Sequence, residues 1–285
     1  MITQTWNPEF LNSHPMFRML IPYSADFVRS HAVWPTLDAY QQYFQNRCGT
    51  LYTLAGSRLQ FVDQAAPAQH PNESYEARIY RKGEIQTRIH NWHDFFQVLV
   101  WSMFPKTKRA LNGLHYLAMN NRLSFEPPAD SRRCAQENVL TQFDECGGII
   151  VCTDEELLED IRHFNWKNLF WNRRSEVTEK LKCIVFGHAL YEKGLTPYLG
   201  MTAHCILLNI KQTELNQHDH SLVSTIDAQL AALLLDHSLL KQPRDLHPFP
   251  VLGMPHWHAE NDSESFYDNT RYFRPGRRTE NQFTL

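Results

Sequence analysis

Val139-Leu140-Thr141-Gln142-Phe143-Asp144-Glu145-Cys146-Gly147-Gly148-Ile149-Ile150-Val151-Cys152 is the stretch on which the fold class turns. Two short apolar runs, 139–143 and 148–152, flank a polar interval with two glycines, which reads as two strands joined through Asp144-Glu145-Cys146-Gly147. Asp144 and Glu145 then stand at a strand end. Neighbours on an extended chain point to opposite faces, so one of these carboxylates aims inward: Asp144 if the strand continues through it, Glu145 if the turn starts there.

Upstream, two more hairpin signals precede this stretch. Leu51 to Leu54 and Arg58 to Val62 flank Ala55-Gly56-Ser57, and Ala77 to Tyr80 and Glu84 to Arg88 flank Lys82-Gly83. Gln64 to Ser74 is a polar loop between them. Before the hairpins, Pro8, Pro15, Pro22 and Pro35 break the chain into short segments, of which 35–46 is the best helix. From Asn91 the period changes: Trp92, Phe95, Phe96, Leu99, Val100 and Met103 recur at helical spacing until Pro105, and a second helix spans about Thr107 to Asn120.

Downstream, Thr153 with Glu156 reads as a capping box for the helix carrying Leu157, Leu158 and Ile161. Ser175 to Lys193 reads as one long helix ended by Gly194. Met201 to Ile210 is a buried strand, Thr225 to Leu240 is helical, and the aperiodic tail from Pro243 wraps the body in extended form. The expected class is α+β: a mainly helical body with several short antiparallel hairpins and an extended C-terminal tail. An N-terminal helix and hairpin region, 1–90, packs on a main domain, 91–285, as one compact unit.

With 285 residues, 42% hydrophobic and 21% charged, the chain has the composition of a soluble globular protein with a sizeable core. A net charge of −3 gives no global attraction to nucleic acid, and Lys106, Lys108 and Arg109 read as a solvated helix face. The longest apolar run, Phe95 to Phe104, is too short to span a membrane, and the N-terminus has no signal-peptide pattern, so a cytoplasmic protein is expected. Six cysteines without a C-x-x-C pair read as reduced, structural thiols. No Walker loop, dinucleotide glycine fingerprint, H-E-x-x-H or G-x-S-x-G is present.

The chemistry-bearing residues sit as polar islands in apolar stretches. A buried ionisable group is costly unless it is paired or ligating, so these islands mark a site or a core network. Asn91 caps a helix, with Asp94 reaching back, and His93 shares a stripe with Phe96 and Val100. His115 follows Lys108 and Leu111 on the next helix, with Asn112 placed to orient it. His188 falls on the stripe of Leu181, Ile184 and Val185, with Glu192 four residues on as its partner, and Gly187 implies that another backbone or a ligand comes close. His204 alternates with Thr202 and Ile206, while Cys205 faces the other way and reads as a small core residue. His256 and His258 flank Trp257 in an i, i+2 pattern without further ligands nearby.

Taken together, these islands resemble an uncharacterised bacterial family, domain of unknown function 3025. The matching residues are Asn91-Trp92-His93-Asp94, Leu111-Asn112 with His115, Leu140-Thr141 leading to Phe143-Asp144-Glu145 and Gly147, and Phe186-Gly187-His188-Ala189-Leu190 with Glu192-Lys193. Thr202-Ala203-His204, Pro250-Val251-Leu252-Gly253 with Pro255 and Trp257, and Phe266-Tyr267 with Phe273-Arg274-Pro275 complete the order. Where the family usually has Arg-Asp before the Leu-Thr, this chain has Glu137-Asn138. The resemblance implies homology and a cytosolic bacterial setting; it carries no activity, cofactor or catalytic assignment.

The functional expectation is a metal-dependent hydrolase acting on a small-molecule substrate. His93, His115, His188 and His204 supply ligands, and Asp144 or Glu145 serves as carboxylate ligand or general base. The metal is zinc, manganese or iron, since ligand type alone does not choose. Two other readings use the same residues: a non-catalytic binding or scaffold protein with a satisfied polar network, and a metal-free acid-base enzyme built on His188 and Glu192. Three or more of these side chains in one solvent-reachable pocket would favour an enzyme.

Overall fold

The computed structural model describes residues 4–64, 73–125 and 132–276. In chain order the helices are α1 (Ile21–Arg29), α2 (Leu37–Cys48), α3 (Tyr75–Lys82), α4 (Trp92–Met103), α5 (Pro105–Phe125), α6 (Ala135–Cys146) and α7 (Glu155–Arg162), followed by α8 (Arg174–Lys180), α9 (His188–Gly194), α10 (Gln212–Leu215) and α11 (Asp219–Leu235). The strands are β1 (Gln60–Asp63), β2 (Glu84–Thr87), β3 (Gly147–Cys152), β4 (Leu181–Val185), β5 (Thr202–Asn209) and β6 (His247–Pro250).

A mixed four-stranded sheet, ordered β4-β3-β5-β6, lies at the centre. β3 pairs antiparallel with β4 and parallel with β5, and β5 pairs antiparallel with β6. Every residue of β3 is buried, which is why its sequence is an unbroken apolar run rather than an alternation. α4 is the helical counterpart: from Asp94 to Met103 all its residues are buried. Its aromatic face is clamped by the N-terminal segment, with Trp6 stacked on Trp92 at 5.1 Å and Phe17 stacked on Phe96 at 5.8 Å. Asn91 caps α4 through the Asp94 N–H as expected, but the Asp94 carboxylate accepts from the Arg88 backbone and guanidinium instead of reaching back.

The class is α+β, yet the expected hairpins are largely replaced by helices and long-range pairs. Residues 139–143 belong to α6, whose N-cap is Cys134: the Glu137 carboxylate accepts from the Cys134 N–H, and the Glu137 N–H donates to Cys134 Sγ. A thiol in the capping-box position hid that start. Residues 77–80 belong to α3, capped by Ser74, and the strands on either side of it, β1 and β2, pair in parallel. The first hairpin survives as a single bridge, Tyr52 to Arg58. The next helix is capped by Asp154 rather than by Thr153.

The long helix over 175–193 resolves into α8, β4 and α9. A short apolar run such as Leu181–Val185 fits a buried strand as well as a helical stripe, and pairing along β3 decides for the strand. From Pro243 to Gly276 the tail does wrap the body, but mostly as 3-10 turns, tied by Tyr272 Oη to Met201 O and by Trp166 Nε1 to Arg274 O, while residues 277–285 lie outside the described residues. Residues 65–72 of the expected polar loop lie outside the described residues. All six cysteines are free thiols, with Cys152, Cys183 and Cys205 buried. Among the described residues, no helix is long and apolar enough to cross a membrane.

Candidate metal centre

The sheet topology brings two of the islands together. β3 begins where its antiparallel neighbour β4 ends, so the last turn of α6, carrying Asp144 and Glu145, abuts the first turn of α9, carrying His188. The junction is tight: the Phe186 and Gly187 N–H groups both donate to Gly147 O, at 3.0 and 2.9 Å. A Cβ on Gly187 would stand 2.4 Å from Glu145 O and 2.5 Å from Gly147 N, so only glycine fits. The close backbone approach inferred at Gly187 is present, although this residue precedes α9 instead of interrupting a helix. Beneath the junction Phe143 stacks on Phe186 at 4.4 Å.

α4 packs against α9 and supplies the third group from its first turn. His93 Nε2 lies 3.0 Å from His188 Nε2, and Glu145 Oε2 lies 3.8 Å from the former and 3.6 Å from the latter. A tetrahedral ion with bonds of about 2.1 Å separates its ligands by about 3.4 Å, and the three edges straddle that value. Behind the ligands stand two carboxylates. Glu192, one turn along α9, accepts from His93 Nδ1 at 3.0 Å, so it is the partner of His93 and not of His188. Asp144 Oδ2 faces His188 Nδ1 at 3.9 Å while its Oδ1 holds the Lys108 ammonium.

This arrangement constrains protons. Glu192 draws the His93 proton to Nδ1 and leaves a lone pair on Nε2. If His188 is protonated at Nδ1, toward Asp144, its Nε2 lone pair faces that of His93; if at Nε2, its Nδ1 lone pair faces the Asp144 carboxylate. His188 Nδ1 has no hydrogen-bond partner and is fully buried. A positive charge between the two Nε2 atoms relieves both conflicts.

The titration tendencies follow from burial and these neighbours. Burial pushes the His188 imidazole down to about 3, the Asp144 charge offsetting part of this, so the ring is neutral and able to ligate. Burial also opposes protonation of His93, but the Glu192 bond and the Glu145 charge outweigh it and hold the ring above its usual range. Burial raises Glu145 despite His93 nearby. For Asp144, burial is outweighed by Lys108 and His188, and the carboxyl sits below its usual range.

Glu145 and His93 open onto a cleft of about 460 Å³, also lined by His188, Asp144, His115 and Thr141. Its lining also includes Arg88, paired with Asp94, and Arg122, paired with Glu137. The helical ending of α6 corrects the expectation that only one carboxylate of the 144–145 pair faces inward: both line the cleft, because neighbours on a helix are about 100° apart.

Two predicted ligands stay outside the cluster. His115 Nε2 contacts Thr141 Oγ1 at 3.2 Å, and Asn112 does not orient it but donates to Glu76 O and Oε2. His204 lies against the Gln142 amide on β5. His256 is exposed, and His258 Nδ1 caps Glu260 while its ring stacks on Phe266. Among the described residues, His93, Glu145 and His188 are the set of three whose ligand atoms lie within 4.8 Å of one another. Lys108, read from sequence as solvated, is buried and holds Asp144; its placement on the Leu111–His115 stripe was the available signal.

A family model described as protein of unknown function (DUF3025) matches residues 59–277, and the chain belongs to that family. No curated protein matches the chain, and no solved structure does.

Proposed function

We propose that this member of the DUF3025 family is a metal-dependent hydrolase of a small-molecule substrate, with one divalent ion at His93 Nε2, His188 Nε2 and Glu145. What supports the reading is the pair of imidazole Nε2 atoms, 3.0 Å apart on rings set edge to face, with a carboxylate oxygen within 3.8 Å of both, at the wall of an open cleft. Two histidines and a carboxylate leave coordination positions for water and substrate, and such an ion activates water at neutral pH. Glu192 orients His93 through a hydrogen bond, and the Asp144 carboxylate, anchored by Lys108, stands 3.9 Å from His188 Nδ1 as its electrostatic counterpart. Glu145, on the cleft wall, would be the carboxylate ligand of the set.

A second reading is supported by the raised titration of His93. A proton on His93 Nε2, donated to His188 Nε2, would relieve the same lone-pair conflict and leave a metal-free acid-base site. Elemental analysis of untagged protein, purified without chelator beside His188→Ala, separates the two. Zinc, manganese or iron near one per chain, lost in the variant, is the expected result and directs a hydrolase substrate screen. No metal in either protein, and none taken up on titration, overturns the metal reading and leaves the metal-free site, acid-base or purely structural.

A further inference from the structure

Behind the site lies a narrow recess with about 10 Å³ of room for the centre of a water molecule, lined by Trp101, Lys108, His115 and Asp144 among others. Two polar atoms of these residues are buried without a hydrogen-bond partner: Trp101 Nε1 and His115 Nδ1. An unpaired buried donor or acceptor costs roughly 1–3 kcal/mol, so two of them on residues that line one recess point to a common partner.

The tautomer of His115 is fixed by its neighbours. Thr141 Oγ1 donates its single hydrogen to Glu137 O at 2.9 Å and accepts from Arg133 Nη1 at 3.0 Å. With that hydrogen committed to Glu137 O, the hydroxyl meets His115 Nε2 as an acceptor, and neutral His115 then carries its proton on Nε2 and presents a lone pair at Nδ1. Trp101 Nε1 is a donor and nothing else. Lys108 Nζ gives one hydrogen to Asp144 and lies 5.1 Å from the Trp101 ring centre, leaving it a further N–H to give.

We infer that one internal water molecule occupies this recess and binds His115 to the carboxylate behind His188. It accepts from Trp101 Nε1–H and Lys108 Nζ–H, and it donates to His115 Nδ1 and to Asp144. All four of its hydrogen-bonding positions are used, and the space fits one water. His115 is thereby a positioning residue: through this water it fixes the carboxylate facing His188 Nδ1, without touching the proposed ion. This explains why a histidine that lines the cleft has no place among the three ligands.

The test is a high-resolution crystal structure of the wild-type protein, with nitrogen NMR of the histidine ring at about pH 8, where an unperturbed imidazole is neutral. The expected result is a water peak within about 3.2 Å of Trp101 Nε1, His115 Nδ1 and Asp144, and an unprotonated His115 Nδ1. Trp101→Phe, which keeps an aromatic ring but removes the donor, should shift the His115 Nδ1 resonance while leaving the protein folded. No water peak there, or a proton on His115 Nδ1, overturns the inference. Both readouts are taken with and without chelator: a water that persists in protein unable to bind metal leaves this inference standing and removes the hydrolase reading, and metal without the water does the reverse.

Discussion

At the scale of single residues, the account rests on which nitrogen of each imidazole holds the proton. Glu192 sets the answer for His93, and the result is a lone pair aimed at the proposed ion. Glu192→Gln keeps an acceptor for His93 Nδ1 but removes the charge, so metal affinity should fall by roughly ten-fold with the fold intact. Competition against a chromophoric chelator measures this, and unchanged affinity would show that Glu192 does not support the ligand. His188 was legible as a candidate because it follows an apolar run, but its partner was not. Residues 188 and 192 do share α9, but Glu192 turns toward α4 and accepts from His93, a partner too distant in sequence for the i+4 rule to reveal.

At the scale of elements, the junction of α6, β3, β4 and α9 makes the site. Gly187→Ala would drive a Cβ into the Glu145 carbonyl and Gly147 nitrogen, neither of which is a flexible side chain. The expected outcome is a loss of about 1–3 kcal/mol in urea unfolding together with weakened metal binding, and wild-type behaviour in both would contradict the tight junction. A second buried joint is testable apart from the site. Asp227 of α11 accepts from the Lys106 and Thr107 N–H groups at the start of α5. Asp227→Ala should cost about 1–3 kcal/mol by orphaning those amides, with metal content unchanged.

The element scale also shows where the sequence was readable. α4, α5 and α11 follow from helical periodicity, and β3 and β5 from apolar runs whose length and flanks fit buried strands. The 175–193 segment was misread because a run of about five apolar residues satisfies both periods and the partner strand that settles the matter is distant in sequence, and α6 because its N-cap is a thiol, Cys134. That misreading moved the carboxylates to a strand end and so hid that both line the cleft.

At the scale of the whole molecule, burial of the histidine site couples stability to pH. In chelator-treated protein the folded state refuses a proton at His188 until about pH 3, whereas the unfolded chain accepts it near 6.5. Below the unfolded value the unfolded state therefore binds more protons, and stability falls as pH falls from 6.5 toward 3. Between pH 6.5 and 5 this group should remove about 1.5 kcal/mol, a slope that His188→Gln abolishes. His93 acts in the opposite sense: the stability it gains from Glu192 is complete below its unfolded value and is lost as pH rises through its folded one. Urea titrations of both proteins at the two pH values measure the slope, and equal slopes would contradict a buried neutral His188.

The central claim is that His93, Glu145 and His188 hold one ion. Anomalous scattering at the absorption edge of the metal found in the purified protein tests it most directly. The account predicts a single peak within about 2.0–2.2 Å of His93 Nε2, His188 Nε2 and a Glu145 oxygen. A map with no peak there, and the two imidazoles hydrogen-bonded directly to each other, would contradict it.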